Sequence, residues 1–187
     1  MKLTSLKDII LSGLFPILCF IAAFIVLFFH PFFTYFLFYI IGKPQNIFPT
    51  LGFIKHVFGI GSIPAIFNSA ENSHLSDVAW LIRGLICFFI LFLTLFLKFV
   101  GKNKAHIIKY GFYSLTLIIA TVFLMPYDFT FRLFHEVFFP NGNWTFLGDS
   151  VIIQLFPYEF FFYYAVFIVI LALFFGFLIY FINKRRK

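Results

Sequence analysis

Apolar positions divide the chain into four long hydrophobic runs separated by more polar segments. Each run has about 20 residues, and a helix of that length crosses the hydrocarbon core of a bilayer, which is about 30 Å thick. The runs are Ile9–Phe29, Val78–Val100, Ile107–Met125 and Phe160–Ile182. The pattern therefore predicts four transmembrane helices.

A shorter apolar piece, Phe32–Ile41, follows His30-Pro31 and cannot span a membrane alone. Because proline interrupts helical hydrogen bonding, we expect this piece either to extend the first helix beyond a kink or to lie in the membrane interface. The first run has a short basic start but no small-residue cleavage site, so we expect it to be retained.

Two longer segments between the runs carry most of the polar residues. Residues 42–76 are rich in Gly, Pro, Asn and Ser, which predicts turns with short helical segments. Residues 126–158 alternate aromatic and polar positions around the turn Pro140-Asn141-Gly142-Asn143. Both segments stay quite apolar, so we expect a small cap on the membrane surface. The prediction is an all-α, polytopic membrane protein: a four-helix bundle with an extracytoplasmic cap, forming a single domain over residues 1–187.

Composition strengthens this interpretation. Apolar residues make up 63% of the chain, aromatic residues 25% and charged residues only 11%. A water-soluble globule of this size leaves roughly a third of its unfolded surface exposed and could not hide so much apolar area. The formal charge of +7 lies mostly beside apolar runs, where basic residues meet anionic lipid headgroups. We therefore predict no nucleic-acid partner.

The positions of the charged residues predict the orientation. Lysine and arginine cluster at three places, which the positive-inside rule assigns to the cytoplasm: Lys2 and Lys7; Lys98, Lys102, Lys104 and Lys109; and Lys184, Arg185, Arg186 and Lys187. The other side holds six of the seven acids and four of the five histidines. We therefore expect a multi-pass protein of the cytoplasmic membrane, with both termini in the cytoplasm and its polar chemistry on the outer face.

A first group of polar residues directly precedes the second run. If this segment is helical, Glu71, His74 and Asp77 repeat every three residues and lie along one face. A carboxylate beside a histidine would fix its tautomer and raise its basicity for proton transfer. Acids and asparagines also begin helices as ordinary caps. We favour capping or solvation for Glu71 and a functional role for His74 with Asp77.

A second group lies between the third and fourth runs. Ionisable groups near hydrocarbon cost a few kcal/mol each, so Arg132, His135, Glu136 and Asp149 should be paired or functional. Trp144 and Tyr158 need no such explanation, because aromatic residues are common at the membrane interface.

Histidine and carboxylate side chains are also zinc ligands, so a site built from Glu71, His74, Asp77 and His135 is chemically conceivable. The spacing does not demand such a site, because His135-Glu136 has no second histidine at the zincin distance. We predict neither a metal nor a cofactor.

Several separated motifs belong together: His74-Leu75-Ser76-Asp77-Val78, Phe134-His135-Glu136-Val137-Phe138-Phe139, Trp144-Thr145-Phe146, Asp149-Ser150-Val151-Ile152 and Leu155-Phe156-Pro157-Tyr158-Glu159-Phe160-Phe161. This set resembles the lipoprotein intramolecular transacylases (Lit). The chain departs from the family pattern at Leu75, where a methionine is common, and at Ala79, where we expect a basic residue. Arg83, one turn later, is a candidate substitute.

The resemblance implies an enzyme that moves one ester-linked acyl chain of a diacylated lipoprotein. The chain leaves the diacylglyceryl group of the N-terminal cysteine and joins the α-amino group of the same cysteine. The product is the N-acyl, lyso-form lipoprotein, and no cofactor or metal is implied.

This reaction suits the polar residues. An α-amino group titrates near pH 8, so it must lose a proton before it attacks an ester, and a neutral histidine is a suitable base. We predict His74 or His135 as that base, with the other histidine or a backbone N–H near Asn141–Asn143 stabilising the oxyanion. We expect Asp77 and Asp149 to orient the histidines. The predicted substrate-binding residues are Arg83, Arg132, Trp144 and Asn141.

The predicted partners are therefore a diacylated lipoprotein and membrane lipid, and the oligomeric state is not predicted. Two other functions remain open at this point. One is a metal-dependent membrane hydrolase on the same face. The other is a non-enzymatic protein that binds lipid or a partner, whose polar residues only satisfy one another.

Overall fold

The structure, a computed structural model, describes residues 5–185, which form helices and turns without any strand. The elements in this range are α1 (Leu6–Phe28), α2 (Pro31–Ile40), a short 3-10 helix (Pro44–Asn46), α3 (Ile47–Val57), α4 (Ser69–Phe99), α5 (Lys104–Phe123), α6 (Tyr127–Phe138), α7 (Val151–Leu155) and α8 (Tyr158–Arg185). The all-α prediction is confirmed. Lys2, Arg186 and Lys187, which contribute to the predicted orientation, lie outside the described residues.

Four helices are long and apolar enough to cross a membrane, as predicted: α1, α4, α5 and α8. Three of them begin and end within three residues of the predicted bounds, but α4 begins at Ser69 rather than Val78. A reciprocal pair of hydrogen bonds explains the early start. The Glu71 N–H donates to Asn68 Oδ1 (3.0 Å), and the Asn68 N–H donates to Glu71 Oε2 (2.9 Å). This capping box places His74 and Asp77 on the helix.

The apolar piece after the first run forms a separate helix. α1 ends at Phe28, and α2 begins at Pro31, where a proline is tolerated because the first helical N–H needs no partner. The His30 ring accepts the Phe33 N–H (3.1 Å) and so caps α2. The expectation that this piece continues the first helix beyond a kink is therefore wrong.

The described chain divides into two compact units, of which the first comprises residues 5–26, 86–125 and 167–185. Its helices approach closely at two glycines. A Cβ at Gly111 would lie 2.7 Å from the Phe15 Cβ, and one at Gly176 would lie 2.5 Å from the Leu115 side chain. Small residues give membrane helices this close contact, since apolar burial alone provides little driving force in lipid.

The second unit comprises residues 27–85 and 126–166 and contains every predicted site residue. Within it, α2 packs against the 3-10 helix and α3. The Phe38 ring is fully buried and stacks on Phe160, with ring centroids 4.7 Å apart. These contacts build an aromatic core around which the polar residues are arranged.

The short helix α7 is held at both ends. At its start, the Ile152 N–H donates to Glu71 Oε1 (2.9 Å). At its end, Asn46 Nδ2 donates to one carbonyl (2.7 Å) and Lys43 Nζ to the carbonyl before it (2.9 Å). Acceptors at the N-terminus and cations at the C-terminus of a helix match its unpaired backbone groups and its dipole. These contacts hold the segment of residues 126–158 against the rest of the unit.

Candidate active site

Two histidines from distant parts of the chain lie side by side in the second unit. His74 is in the second turn of α4, and His135 is in the last turn of α6. Their rings are nearly parallel, with an interplanar angle of 28° and centroids 6.2 Å apart. A substrate group of a few atoms can therefore be in reach of both imidazoles.

The backbone of α6 fixes the tautomer of His135. Its Nδ1 lies 2.8 Å from the Phe131 carbonyl oxygen, one turn earlier. Because a carbonyl only accepts, Nδ1 must carry the hydrogen, and Nε2 keeps its lone pair. Burial lowers the pKa of His135 below its ordinary value of 6.5, and the hydrogen bond to Phe131 offsets only part of this change. The ring is therefore neutral near pH 7, with Nε2 available as a base.

Aromatic rings surround both histidines. Trp144 lies 4.9 Å from His135, and Phe146 lies 5.7 Å from His74, measured between ring centroids. The buried Phe139 contacts both, at 4.8 Å from His74 and 5.6 Å from His135. These rings give both imidazoles largely apolar neighbours, which strengthens electrostatic interactions at the site. The sequence had suggested no role for Phe139 or Phe146, although both lie in the family motifs.

Asn143 connects the turn after α6 to α4. Its Nδ2 donates to Asp77 Oδ2 (2.6 Å) and lies at the limit of hydrogen bonding from Ser73 Oγ (3.5 Å). Gly142 makes this possible by adopting a φ of 73°, which reverses the chain directly before Asn143. The sequence analysis named Asn141 and the backbone N–H groups of this turn, but it missed the Asn143 side chain.

Two polar atoms at this point are buried without a hydrogen-bond partner among the described residues. They are Nδ1 of His74, a residue only 7% exposed, and Oδ1 of Asn143. Burial and the His135 ring disfavour the protonated form of His74, and the nearby Asp77 carboxylate and Asn143 amide offset part of this effect. His74, Asn143 and Asp77 thus form one polar group.

The Arg83 side chain contacts the end of α3 and the Trp80 ring. Its guanidinium donates to the carbonyls of Val57 (2.8 Å, from Nε) and His56 (2.6 Å, from Nη2) at the end of α3, and lies over the Trp80 ring at 5.2 Å. These carbonyls lack intrahelical partners, so Arg83 caps α3. The contacts indicate a structural role where the sequence predicted substrate binding.

The remaining predicted residues lie on the surface. Asp149 is exposed; its backbone carbonyl accepts from Gln154 (3.1 Å), and in residues 5–185 its carboxylate has no hydrogen bond to either histidine. Arg132 and Glu136 form an exposed ion pair at 3.8 Å. Asn141 is exposed as well. Of the residues predicted to bind substrate, Trp144 is the one that contacts a histidine.

Glu71 is fully buried, so its predicted capping role is confirmed and solvation is excluded. Among residues 5–185, no three His, Cys, Asp or Glu side chains form a group that could hold a metal ion.

Comparison with known proteins identifies the family. The model of lipoprotein intramolecular transacylase Lit matches residues 54–161, which is more than half of the chain and includes both histidines. The chain belongs to the Lit family. Its reaction is therefore the intramolecular transfer of an acyl group in a lipoprotein, and the hydrolase and non-enzymatic alternatives are not favoured.

Solved structures of a Lit protein have the same fold. The membrane-integral Lit from Bacillus cereus is 20% identical, with 96% of this chain and 94% of that chain covered and a TM-score of 0.79. A variant of that protein with a histidine-to-arginine mutation is 18% identical, with 96% and 90% covered and a TM-score of 0.77. A search of curated proteins found no match. At these identities the structural likeness shows the fold, and the family assignment rests on the sequence match.

Proposed function

We propose that His74 and His135 are the acid–base groups that move the acyl chain from the glyceryl oxygen to the α-amino nitrogen of the lipoprotein's N-terminal cysteine. The observation that carries this proposal is the pair of rings 6.2 Å apart, enclosed by aromatic side chains. The substrate is a diacylated lipoprotein whose acyl chains lie in membrane lipid.

The proton balance of the reaction explains the need for two bases. An α-ammonium group carries three protons, and the amide that it becomes keeps one. One of the two released protons goes to the glyceryl oxygen when the ester C–O bond breaks and the N–C bond forms, and the other goes to solvent. Two neutral histidines can each accept one of these protons.

The surroundings of each ring support a division of labour. Burial and the neighbouring His135 disfavour a charged His74 ring, and the Asp77 carboxylate offsets part of this effect. We assign the first proton, which leaves the ammonium, to His74, because this ring has the Asp77 carboxylate beside it to stabilise the imidazolium. We assign the second proton to His135, which accepts it at Nε2 during the attack and returns it to the leaving glyceryl oxygen. The lowered pKa of His135 makes its imidazolium a stronger acid and so suits it to that return.

Binding geometry provides the remaining catalytic effect. Because donor and acceptor belong to one substrate, holding them together replaces a bimolecular encounter and contributes several kcal/mol. Trp144 and Phe146 contact the histidine rings and would keep water from the ester, which favours transfer over hydrolysis. No covalent acyl-enzyme is needed.

The proposed location is the cytoplasmic membrane, with both termini in the cytoplasm and the histidines on the outer face. The distribution of lysine and arginine supports this orientation. We also propose that the chain acts as a single integral membrane domain. Reporter domains fused to the C-terminus and inserted at the exposed Asn141 turn should report opposite sides of the membrane, and the same side for both would contradict the orientation.

The central test compares His74→Ala and His135→Ala with the wild type on a diacylated lipoprotein. Since the product is an isomer of the substrate, fragment masses of the N-terminal lipopeptide must locate the acyl chain on nitrogen or oxygen. We expect each variant to lose about 10²- to 10⁴-fold in rate. Val137→Ala, at an exposed position of α6, is the matched control. N-acyl product at the wild-type rate from both histidine variants would overturn the proposal.

A further inference from the structure

His74 and Asn143 each have one buried polar atom without a hydrogen-bond partner among the described residues. Buried polar atoms nearly always have a hydrogen-bond partner, yet His74 Nδ1 and Asn143 Oδ1 have none among the described residues. They belong to neighbouring side chains, because Asn143 is hydrogen-bonded to Asp77, one turn from His74 on the same helix. A hydrogen bond between the two atoms would satisfy both.

The hydrogen bond with Asp77 fixes the orientation of the Asn143 side-chain amide. An ionised carboxylate only accepts hydrogen bonds, so the amide atom 2.6 Å from Asp77 Oδ2 must be the nitrogen. The amide oxygen is therefore directed away from Asp77. An oxygen only accepts, so a hydrogen on His74 Nδ1 is the group that suits it.

We infer that Asp77 and Asn143 together are positioning residues that fix the tautomer of His74: Asn143 Oδ1 accepts the Nδ1 hydrogen, and the lone pair is left on Nε2. The two histidines then have the same tautomer by different means. His135 is fixed by the carbonyl of its own helix, whereas His74 is fixed by a side chain 69 positions away in the sequence. The inference rests on the proposed role of His74 as a base.

Nuclear magnetic resonance of the full chain in detergent, with ¹⁵N-labelled histidine, tests this inference. Two-bond correlations within the ring show which nitrogen carries hydrogen, and loss of a signal in His74→Gln assigns His74. We expect Nδ1–H at both His74 and His135 in the wild type at neutral pH. Hydrogen on Nε2 of His74 in the wild type would overturn the inference without any variant.

Two substitutions then test the cause. Asn143→Leu removes the acceptor at similar volume, and Asp77→Asn removes the acceptor-only partner so that the Asn143 amide can flip. We expect a measurable fraction of Nε2–H at His74 in both variants, while His135 keeps its Nδ1–H state. The matched control is Gln154→Leu, which replaces an exposed amide side chain of the same unit and should leave His74 unchanged.

The tautomer is measured separately from catalysis, so the two proposals can fail separately. A tautomer change at His74 in both variants supports the inference even if His74→Ala proves active, an outcome that would overturn only the proposed function. Wild-type Nδ1–H at His74 in both variants would overturn the inference even if His74 is essential. The His135 signal reports in each sample whether α6 is folded.

Discussion

Glu71 and His74 lie one turn apart near the start of α4, and their surroundings are opposite. Each carboxylate oxygen of the fully buried Glu71 accepts one backbone N–H, from Asn68 and Ile152, both at 2.9 Å. His74 is almost as buried, but its Nδ1 has no partner among the described residues. A completely satisfied polar group holds a structure together, whereas an incompletely satisfied one is where chemistry or a substrate is expected.

The comparison also explains how the site is built. The same carboxylate of Glu71 begins α4 and caps α7, so it joins the helix of His74 to the segment that contains Asn143 and Trp144. The contacts around His74 depend on this connection, although Glu71 touches neither histidine. Two predictions test this difference between Glu71 and the group around His74, and a third, with the smallest effect, tests the surroundings of His135.

Glu71→Ala should destabilise the protein most. The substitution leaves the buried Ile152 N–H and the partly buried Asn68 N–H without their acceptors, which costs on the order of 3 kcal/mol. The thermal unfolding midpoint in detergent should fall clearly. Glu136→Ala, which removes an exposed carboxylate, is the control. Equal midpoints for the two variants would show that Glu71 is not a structural anchor.

Asn143→Leu should have the opposite effect, with little loss of stability and a clear loss of activity. It removes the hydrogen bond to the Asp77 carboxylate but fills a similar volume with an apolar side chain, so we expect the free energy of unfolding to change less than in Glu71→Ala, by about 1 kcal/mol. Acyl transfer should nevertheless fall, because His74 loses its orienting group. Loss of stability as large as that of Glu71→Ala would remove the distinction between the two groups.

The fold could be predicted because transmembrane helices depend on long apolar runs, which sequence displays directly. For three of the four long helices, the predicted ends agree with the ends in the structure to within three residues. The start of α4 was placed at Val78 because the apolar run begins there, although Glu71 was recognised as a possible helix cap. The reciprocal hydrogen bonds of Glu71 with Asn68 set the true start, and the sequence does not display them. The helix α6 was missed because aromatic and polar residues alternate along it.

The site could be predicted only in part. His74, His135 and Trp144 stand out in the sequence because polar and motif residues are few, and the structure brings them together. Asn143 could not be connected to Asp77, since the two residues are 66 positions apart and meet only through the turn at Gly142. Asp149 was named as an ionisable group and a motif residue of the outer segment, but the fold leaves its carboxylate exposed and away from both histidines.

The smallest predicted effect concerns the pH dependence, which tests whether burial sets the basicity of His135. Burial lowers the pKa of His135 below 6.5, so its neutral, active form persists as the pH falls to that lower pKa, and activity is lost below it. Trp144→Ala would open the ring to water, so the acidic limb of the rate profile should move up toward 6.5. His74, which is the titratable group facing His135, and the substrate amine are the same in the wild type and in Trp144→Ala, so neither accounts for a shift between the two profiles. Phe138→Ala, an exposed ring on the same helix that packs on Phe134, should leave the limb in place. A limb that stays fixed in Trp144→Ala would mean that this ring does not control the basicity of His135, and the return of the proton to the glyceryl oxygen would need another explanation.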